Sequence, residues 1–120
     1  MINTHELAWA AGFFDGEGCV GSYLRKGKNR QRTLTIAIQQ VRREPLDRFR
    51  KAVLGCGTVS GPYRWDAAKP HQKPRFTYTI HSFKTGQAVI AMLWKFLSEP
   101  KKEQALKALT IWHNRNKEIA

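Results

Sequence analysis

The chain has 120 residues, enough for one domain with a single hydrophobic core. Its 21 lysines and arginines against 9 acidic residues give a formal net charge of +12, which is typical of proteins that bind nucleic acids. No apolar run is long enough to cross a membrane, no signal-peptide pattern is visible, and the two cysteines and four histidines lack metal-ligand spacing. We therefore expect one domain over residues 1–120, located in a bacterial cytoplasm or an organelle, with no membrane contact and no small-molecule cofactor.

The first predicted helix runs from about Thr4 to Phe14, because Asn3 and Glu6 stand at the spacing of a capping box. Its apolar stripe consists of Leu7, Ala10, Ala11 and Phe14. A neighbouring line of small residues, Ala8 and Gly12, predicts a close helix–helix contact, since a glycine within a helix costs about 1 kcal/mol relative to alanine.

A β-hairpin is predicted next, with strands at 19–26 and 33–40 around a basic turn at 27–30. Both strands alternate in character, which is typical of a sheet with one buried face. The inward positions of the second strand are Leu34, Ile36, Ile38 and Gln40. The opposite face is polar.

The second half of the chain repeats the pattern of a helix followed by a hairpin. Pro45 suits the first turn of a helix that Gly55 ends, and strands are predicted at 58–65 and 75–80. Ser82 is expected to cap a third helix that extends to Leu97, and Ser98 begins the last helix.

The predicted fold class is α+β with the order αββαββα(α), in which helices cover one face of a four-stranded antiparallel sheet. The other face is polar and basic, and its side chains suit the major groove of DNA. A merely solvated sheet face is the alternative, but such faces usually mix both charge signs, and only three acids stand between positions 23 and 73.

Two carboxylates stand out in the stretch AAGFFDGEG, residues 10–18. Asp15 and Glu17 lie beside Gly16 and Gly18, where we expect a glycine turn at the end of the first helix. The negative end of the helix dipole disfavours acids there. A lysine or arginine, the N-terminus of another helix, or a divalent cation such as Mg²⁺ would compensate them. The residues alone leave structural and metal-binding roles open.

The same nine residues resemble the LAGLIDADG motif, with Ala10 in place of leucine, Gly16 in place of alanine and Glu17 in place of aspartate. Together with the order of elements, the resemblance to the single-motif LAGLIDADG homing endonucleases covers essentially the whole chain. It implies a homodimer that binds a long, near-palindromic double-stranded DNA site and cuts both strands during intron or mobile-element homing. The implied cofactor is Mg²⁺, with Mn²⁺ or Ca²⁺ as substitutes in binding.

The resemblance also implies which residues form the site. Glu17 is expected to bind the metal, with the backbone carbonyl of Gly16 as a further ligand. Gln40 and Lys101 are expected beside the catalytic waters, and Lys102 is the close competitor of Lys101. The expected dimer interface consists of Ala8, Ala11, Gly12 and Asp15. The expected DNA contacts are Tyr23, Arg25, Lys28, Arg30, Gln31, Arg32, Thr33, Thr35, Gln39, Ser60, Arg64, Lys73, Arg75 and Thr77.

Non-cleaving functions on the same fold are the alternatives. The chain could be an intron-RNA maturase, a DNA-binding regulator or a basic structural RNA-binding protein. Retention of both motif acids together with Gln40 and Lys101 favours the endonuclease.

Overall fold

A computed structural model describes residues 2–24, 31–64, 69 and 71–115 of the chain. Its elements are α1 (Thr4–Glu17), β1 (Gly18–Leu24), β2 (Arg32–Gln40), α2 (Glu44–Ala52), β3 (Thr58–Tyr63), β4 (Arg75–Ile80), α3 (Phe83–Leu93), a 3₁₀ turn (Trp94–Phe96) and α4 (Glu99–His113). The predicted order and the α+β class are confirmed.

The four strands form one antiparallel sheet in the order β1-β2-β4-β3. The helices cover the face that carries the large apolar side chains of the two central strands. Those fully buried side chains are Leu34, Ile36, Ile38 and Tyr78. The opposite face, called here the open face, carries the alternate residues of each strand.

The end of α1 differs from the prediction. The helix continues through Asp15 and Gly16 to Glu17, and Gly18 follows with φ −94° in extended conformation. The predicted glycine turn is therefore wrong, because neither Gly16 nor Gly18 adopts a positive φ. A glycine permits a left-handed turn but does not require one. Both motif acids thus belong to the last turn of the helix.

The end of α2 also differs in detail. Leu54, not Gly55, is the first residue with left-handed backbone, at φ 59°, and Gly55 follows at φ 80°. The N–H of Gly55 donates to the carbonyl of Arg50 at 2.8 Å, and that of Leu54 donates to Lys51 at 3.1 Å. This is the paired bonding of a Schellman motif, which satisfies the last carbonyls of the helix.

Candidate active site and nucleic-acid interface

The carboxylate of Asp15 binds the N-cap residue of the last helix within the same chain. The backbone N–H of Ser98 donates to both carboxylate oxygens at 3.2 Å, and its hydroxyl donates at 3.0 Å. Ser98 is the N-cap of α4. Of the three expected kinds of partner for Asp15, the structure therefore shows a helix N-terminus, whose positive dipole end favours a carboxylate.

Glu17 is the last residue of α1, and its side chain is exposed. It forms no hydrogen bond or ion pair within the part of the chain that the structure describes. The carbonyls of a final helical turn also lack partners within the helix. Here the carbonyl of Phe14 accepts from the N–H of Gly18. The last turn of α1 thus ends on the exposed side chain of Glu17.

The side chain of Lys101 contacts the same end of α1. Its Nζ donates to the carbonyl of Gly18 at 2.7 Å and to Oε1 of Gln104 at 3.1 Å, and it lies 5.2 Å from the centroid of the Phe14 ring. Lys102 points elsewhere: its Nζ lies 3.6 Å from Glu99. Of the two expected lysines, Lys101 is the one whose amino group lies at the motif.

Gln40 is the last residue of β2 and is half-buried. It shares the helix-covered face with Ile38, and Ile38 pairs with Gly18. Two residues of strand span about 7 Å, so Gln40 lies near the level at which α1 passes into β1. The register thus brings three elements together at this point: the end of α1, the end of β2 and the start of α4.

The small residues of α1 divide between the core and the surface. Ala8, Gly12 and Gly16 are exposed, and a Cβ added at either glycine would meet nothing within 4 Å. Ala11 is fully buried in the core of its own subunit. The assignment of Ala11 to a dimer interface is therefore wrong, because it lies on the apolar stripe one position away from the exposed line. The carboxylate of Asp15 is likewise bound within its own chain.

The open face carries a row of three expected DNA contacts from neighbouring strands. Gln39 of β2 pairs with Thr77 of β4, which pairs with Ser60 of β3. Thr77 is only 8% exposed, and its Oγ1 has no hydrogen-bond partner among the described residues. A strand in the centre of a sheet has neighbours on both sides, which explains the burial. The predicted outward position of Thr77 is confirmed, but its expected accessibility is not.

Arg32 does not lie on the open face. It is two positions from Leu34 along β2 and therefore on the same side of the sheet. One of its guanidinium nitrogens donates to the carbonyl of Ser22 at 3.0 Å. Strand alternation therefore separates it from Thr33 and Thr35, which do lie on that face. This expected DNA contact is on the wrong side of the sheet.

The other expected DNA contacts fall into two groups. Tyr23, Gln31, Arg64 and Lys73 are exposed, and Arg75 is half-buried at the start of β4. Arg64 also donates to the carbonyl of Gln72 at 3.3 Å. The remaining three, Arg25, Lys28 and Arg30, lie outside the described residues.

Two further residues of the open face, Cys19 and His81, were not predicted from the sequence. Cys19 lies two positions from Gly21 and four from Tyr23, and the Tyr23 ring lies back over Gly21, where it would clash with an added Cβ. The electrostatic interaction with the neighbouring Cys19 raises the pKa of Tyr23 above its ordinary value, and partial burial adds to the rise. His81 follows β4, and its Nδ1 lies 3.4 Å from the hydroxyl of Thr35. Strict alternation past Ile80 could have placed His81 on this face.

Single subunits hold no complete cluster of metal ligands in the part of the chain that the structure describes. No group of three histidine, cysteine, aspartate or glutamate side chains among the described residues is close enough to bind an ion. Among the described residues no helix is long and apolar enough to cross a membrane.

Comparison with known proteins identifies the class of fold. No protein-family model and no curated protein sequence matches the chain. Solved structures of LAGLIDADG homing endonucleases do match, and the chain has the LAGLIDADG fold. The resemblance carried by residues 10–18 is thereby confirmed at the level of the fold.

Three solved structures illustrate the likeness. I-CvuI, in complex with its DNA target in the presence of calcium, has a TM-score of 0.74 at 24% identity over 93% of this chain and 70% of its own. I-TnaI, a homing endonuclease, has a TM-score of 0.70 at 24% identity over 98% of this chain and 77% of its own. The LAGLIDADG homing endonuclease I-GzeII, bound to a DNA target, scores 0.71 at 20% identity over 98% of this chain but only 38% of its own.

Proposed function

We propose that this chain is a divalent-metal-dependent, site-specific endonuclease that cuts both strands of a long, near-palindromic DNA site as a homodimer, in intron or mobile-element homing. The single observation that carries the proposal is the placement of Glu17. An exposed carboxylate without a partner among the described residues lies at the end of the motif helix, and the amino group of Lys101 binds the carbonyl of the next residue, Gly18. The matching solved structures include homing endonucleases bound to their DNA targets.

The donors at this helix end fit Mg²⁺. That ion is usually held by one or two carboxylates together with waters and phosphate oxygens, rather than by a full protein cage. One subunit would supply the carboxylate of Glu17 and the carbonyl of Gly16, and a second subunit would supply an equivalent pair. When bound, the metal would stabilise charge on the scissile phosphate and lower the pKa of the attacking water.

The surrounding residues would act on water and phosphate directly. The ammonium of Lys101 is held in place by the carbonyl of Gly18 and can stabilise negative charge that develops at the phosphate. The amide of Gln40, at the end of β2, can accept and donate a hydrogen bond and so orient a water molecule.

The exposed line of Ala8, Gly12 and Gly16 supports the dimer. Each glycine within a helix costs about 1 kcal/mol relative to alanine. No described residue outside the helix approaches Gly12 or Gly16 closely enough to require a glycine there. A second copy of α1 packed against this line would explain both glycines and would bring two copies of Glu17 together.

The open face supports DNA binding. It carries polar side chains from all four strands, on a chain of net charge +12. Side chains that project from a sheet can reach base edges in the major groove, while the positive field draws the phosphate backbone. Thr33, Thr35, Gln39 and Ser60 are the open-face contacts we propose on the strands, with Arg75 at the start of β4.

The substitution Glu17→Gln tests the proposal. A target would first be selected from randomised double-stranded DNA by binding in Ca²⁺, and cleavage would then be measured in Mg²⁺. We expect Glu17→Gln to abolish cleavage and to leave the dissociation constant for DNA nearly unchanged. Glu103→Gln, a matched change at an exposed acid of α4, should cut at the wild-type rate.

Other outcomes point to the non-cleaving alternatives. Wild-type protein that binds the selected DNA but never cuts it in Mg²⁺ or Mn²⁺ would contradict the endonuclease and favour a regulator. Selection of a structured RNA in preference to DNA would favour a maturase or a structural RNA-binding protein.

A further inference from the structure

Gln104 contacts the amino group of Lys101 from one turn further along α4. The two residues are three apart and therefore lie on the same face of the helix. Oε1 of Gln104 accepts from Nζ of Lys101 at 3.1 Å. No resemblance or motif pointed to Gln104.

The hydrogen bonds of the Lys101 ammonium use two of its three N–H donors. An ammonium has three N–H donors. One is bound to the carbonyl of Gly18 at 2.7 Å and a second to Gln104. The third has no acceptor in the described part of the chain. With two donors fixed, the third has a defined direction, and it remains available to a phosphate oxygen or a water.

The backbone of Lys101 is fixed by a separate set of contacts. Its N–H donates to the hydroxyl of Ser98 at 3.4 Å, and Ser98 in turn donates to Asp15. The lysine is therefore attached to the motif helix through its backbone, while its flexible side chain depends on Gly18 and Gln104. Four rotatable bonds separate the two ends of the side chain, so backbone placement alone does not orient the ammonium.

We propose that Gln104 is a positioning residue that orients the ammonium of Lys101 for DNA cleavage. This inference rests on the proposed endonuclease function. A neutral amide suits the role, because it accepts a hydrogen bond without cancelling the positive charge that the phosphate requires. Gln104 acts only through Lys101 and makes no contact with the reacting atoms.

Single-turnover cleavage in Mg²⁺ and DNA affinity in Ca²⁺ test the inference together. Gln104→Met removes the acceptor at similar size, and we expect cleavage to slow about tenfold with an unchanged dissociation constant. Gln104→Glu retains an acceptor oxygen at the same reach but adds a negative charge beside the ammonium, so its rate should lie between that of Gln104→Met and that of the wild type. The matched change Gln87→Met, at an exposed position of α3, should have no effect.

A double-mutant cycle tests whether Gln104 acts through Lys101. In a Lys101→Met background, the further change Gln104→Met should slow cleavage no more. An additional tenfold loss there would overturn the inference. A parallel loss of DNA affinity in Gln104→Met would overturn it as well, because Gln104 would then be a DNA contact.

A measurement on the free protein separates this inference from the proposed function. The ammonium ¹⁵N–¹H signal of Lys101 should exchange with solvent more slowly than that of the exposed Lys107, and Gln104→Met should remove the difference. If the wild-type protein does not cut DNA but Lys101 shows this protection, the endonuclease proposal fails while the contact stands. If the protection is absent, or survives in Gln104→Met, Gln104 does not position Lys101.

Discussion

Asp15 and Lys101 each reach across to the end of the other's helix. Asp15 lies in the last turn of α1, where the helix dipole disfavours an acid, and its carboxylate binds Ser98 at the N-terminus of α4. Lys101 lies in the first turn of α4, where the dipole disfavours a cation, and its ammonium binds the carbonyl of Gly18 just after α1. Each charged group thus lies at the end of the other helix, where the helix dipole favours its charge. This exchange joins the motif helix to the last helix.

Loss of the Asp15 carboxylate should destabilise the subunit. We expect Asp15→Ala to lower the free energy of unfolding by about 1–2 kcal/mol, because the N-terminus of α4 loses both a hydrogen-bond acceptor and a favourable charge. Urea denaturation followed by circular dichroism measures the change. Asp47→Ala is the control, since Asp47 forms only an exposed ion pair with Arg43 at 3.1 Å, a kind worth less than about 1 kcal/mol. Equal losses in the two variants would contradict the prediction.

A side chain at position 18 should disturb the motif. A Cβ added to Gly18 would overlap the ring of Phe14, which is fully buried. We therefore expect Gly18→Ala to cost about 1–3 kcal/mol of unfolding free energy, as overpacked sites do. Gly16→Ala should instead stabilise the helix by up to about 1 kcal/mol, because the space there is open. The unfolding free energies of both variants are measured by urea denaturation at protein concentrations low enough to keep subunits apart. A Gly18→Ala variant as stable as the wild type would show that the Phe14 ring can move aside.

A large residue at position 12 should separate the proposed dimer. A side chain added at Gly12 would project into open space. Gly12→Leu should therefore fold as a subunit but sediment as a monomer at concentrations where the wild type is dimeric. Cleavage should fall with the dimer fraction. Ala91→Leu makes the matched change at an exposed position of α3 and should leave sedimentation unaltered. A Gly12→Leu protein that remains dimeric would place the interface elsewhere.

The hydroxyl of Thr77 should matter little for folding or for DNA binding. Because its Oγ1 has no partner among the described residues, replacement by a methyl group of the same shape should change stability by less than about 1 kcal/mol. Because Thr77 is only 8% exposed, we expect Thr77→Val to bind the selected DNA nearly as the wild type does in a fluorescence anisotropy titration. Gln39→Leu, at the exposed neighbouring position of β2, should instead weaken binding severalfold. A severalfold loss of affinity in Thr77→Val would show that the hydroxyl contacts DNA, and a loss of stability would show that it serves the fold.

The sequence by itself determined the elements and their order. Alternation in β2 and the capping residues Asn3, Ser82 and Ser98 are local signals, because they depend on neighbours within one turn or one strand. The same local signals separated the buried face of the sheet from the open one. The motif at residues 10–18 pointed to the fold that the solved structures confirm.

Only the tertiary structure decided which partners the site residues have. The contact of Asp15 with Ser98 joins residues 83 apart in the sequence, and the same distance separates Gly18 from Lys101. The choice between Lys101 and Lys102 and the burial of Ala11 and Thr77 likewise depend on which elements pack side by side. Periodicity shows which side of an element is buried, but not what lies against it. The packing of distant segments therefore decides the surroundings of the two motif acids. Asp15 binds the N-terminus of α4, and Glu17 remains exposed.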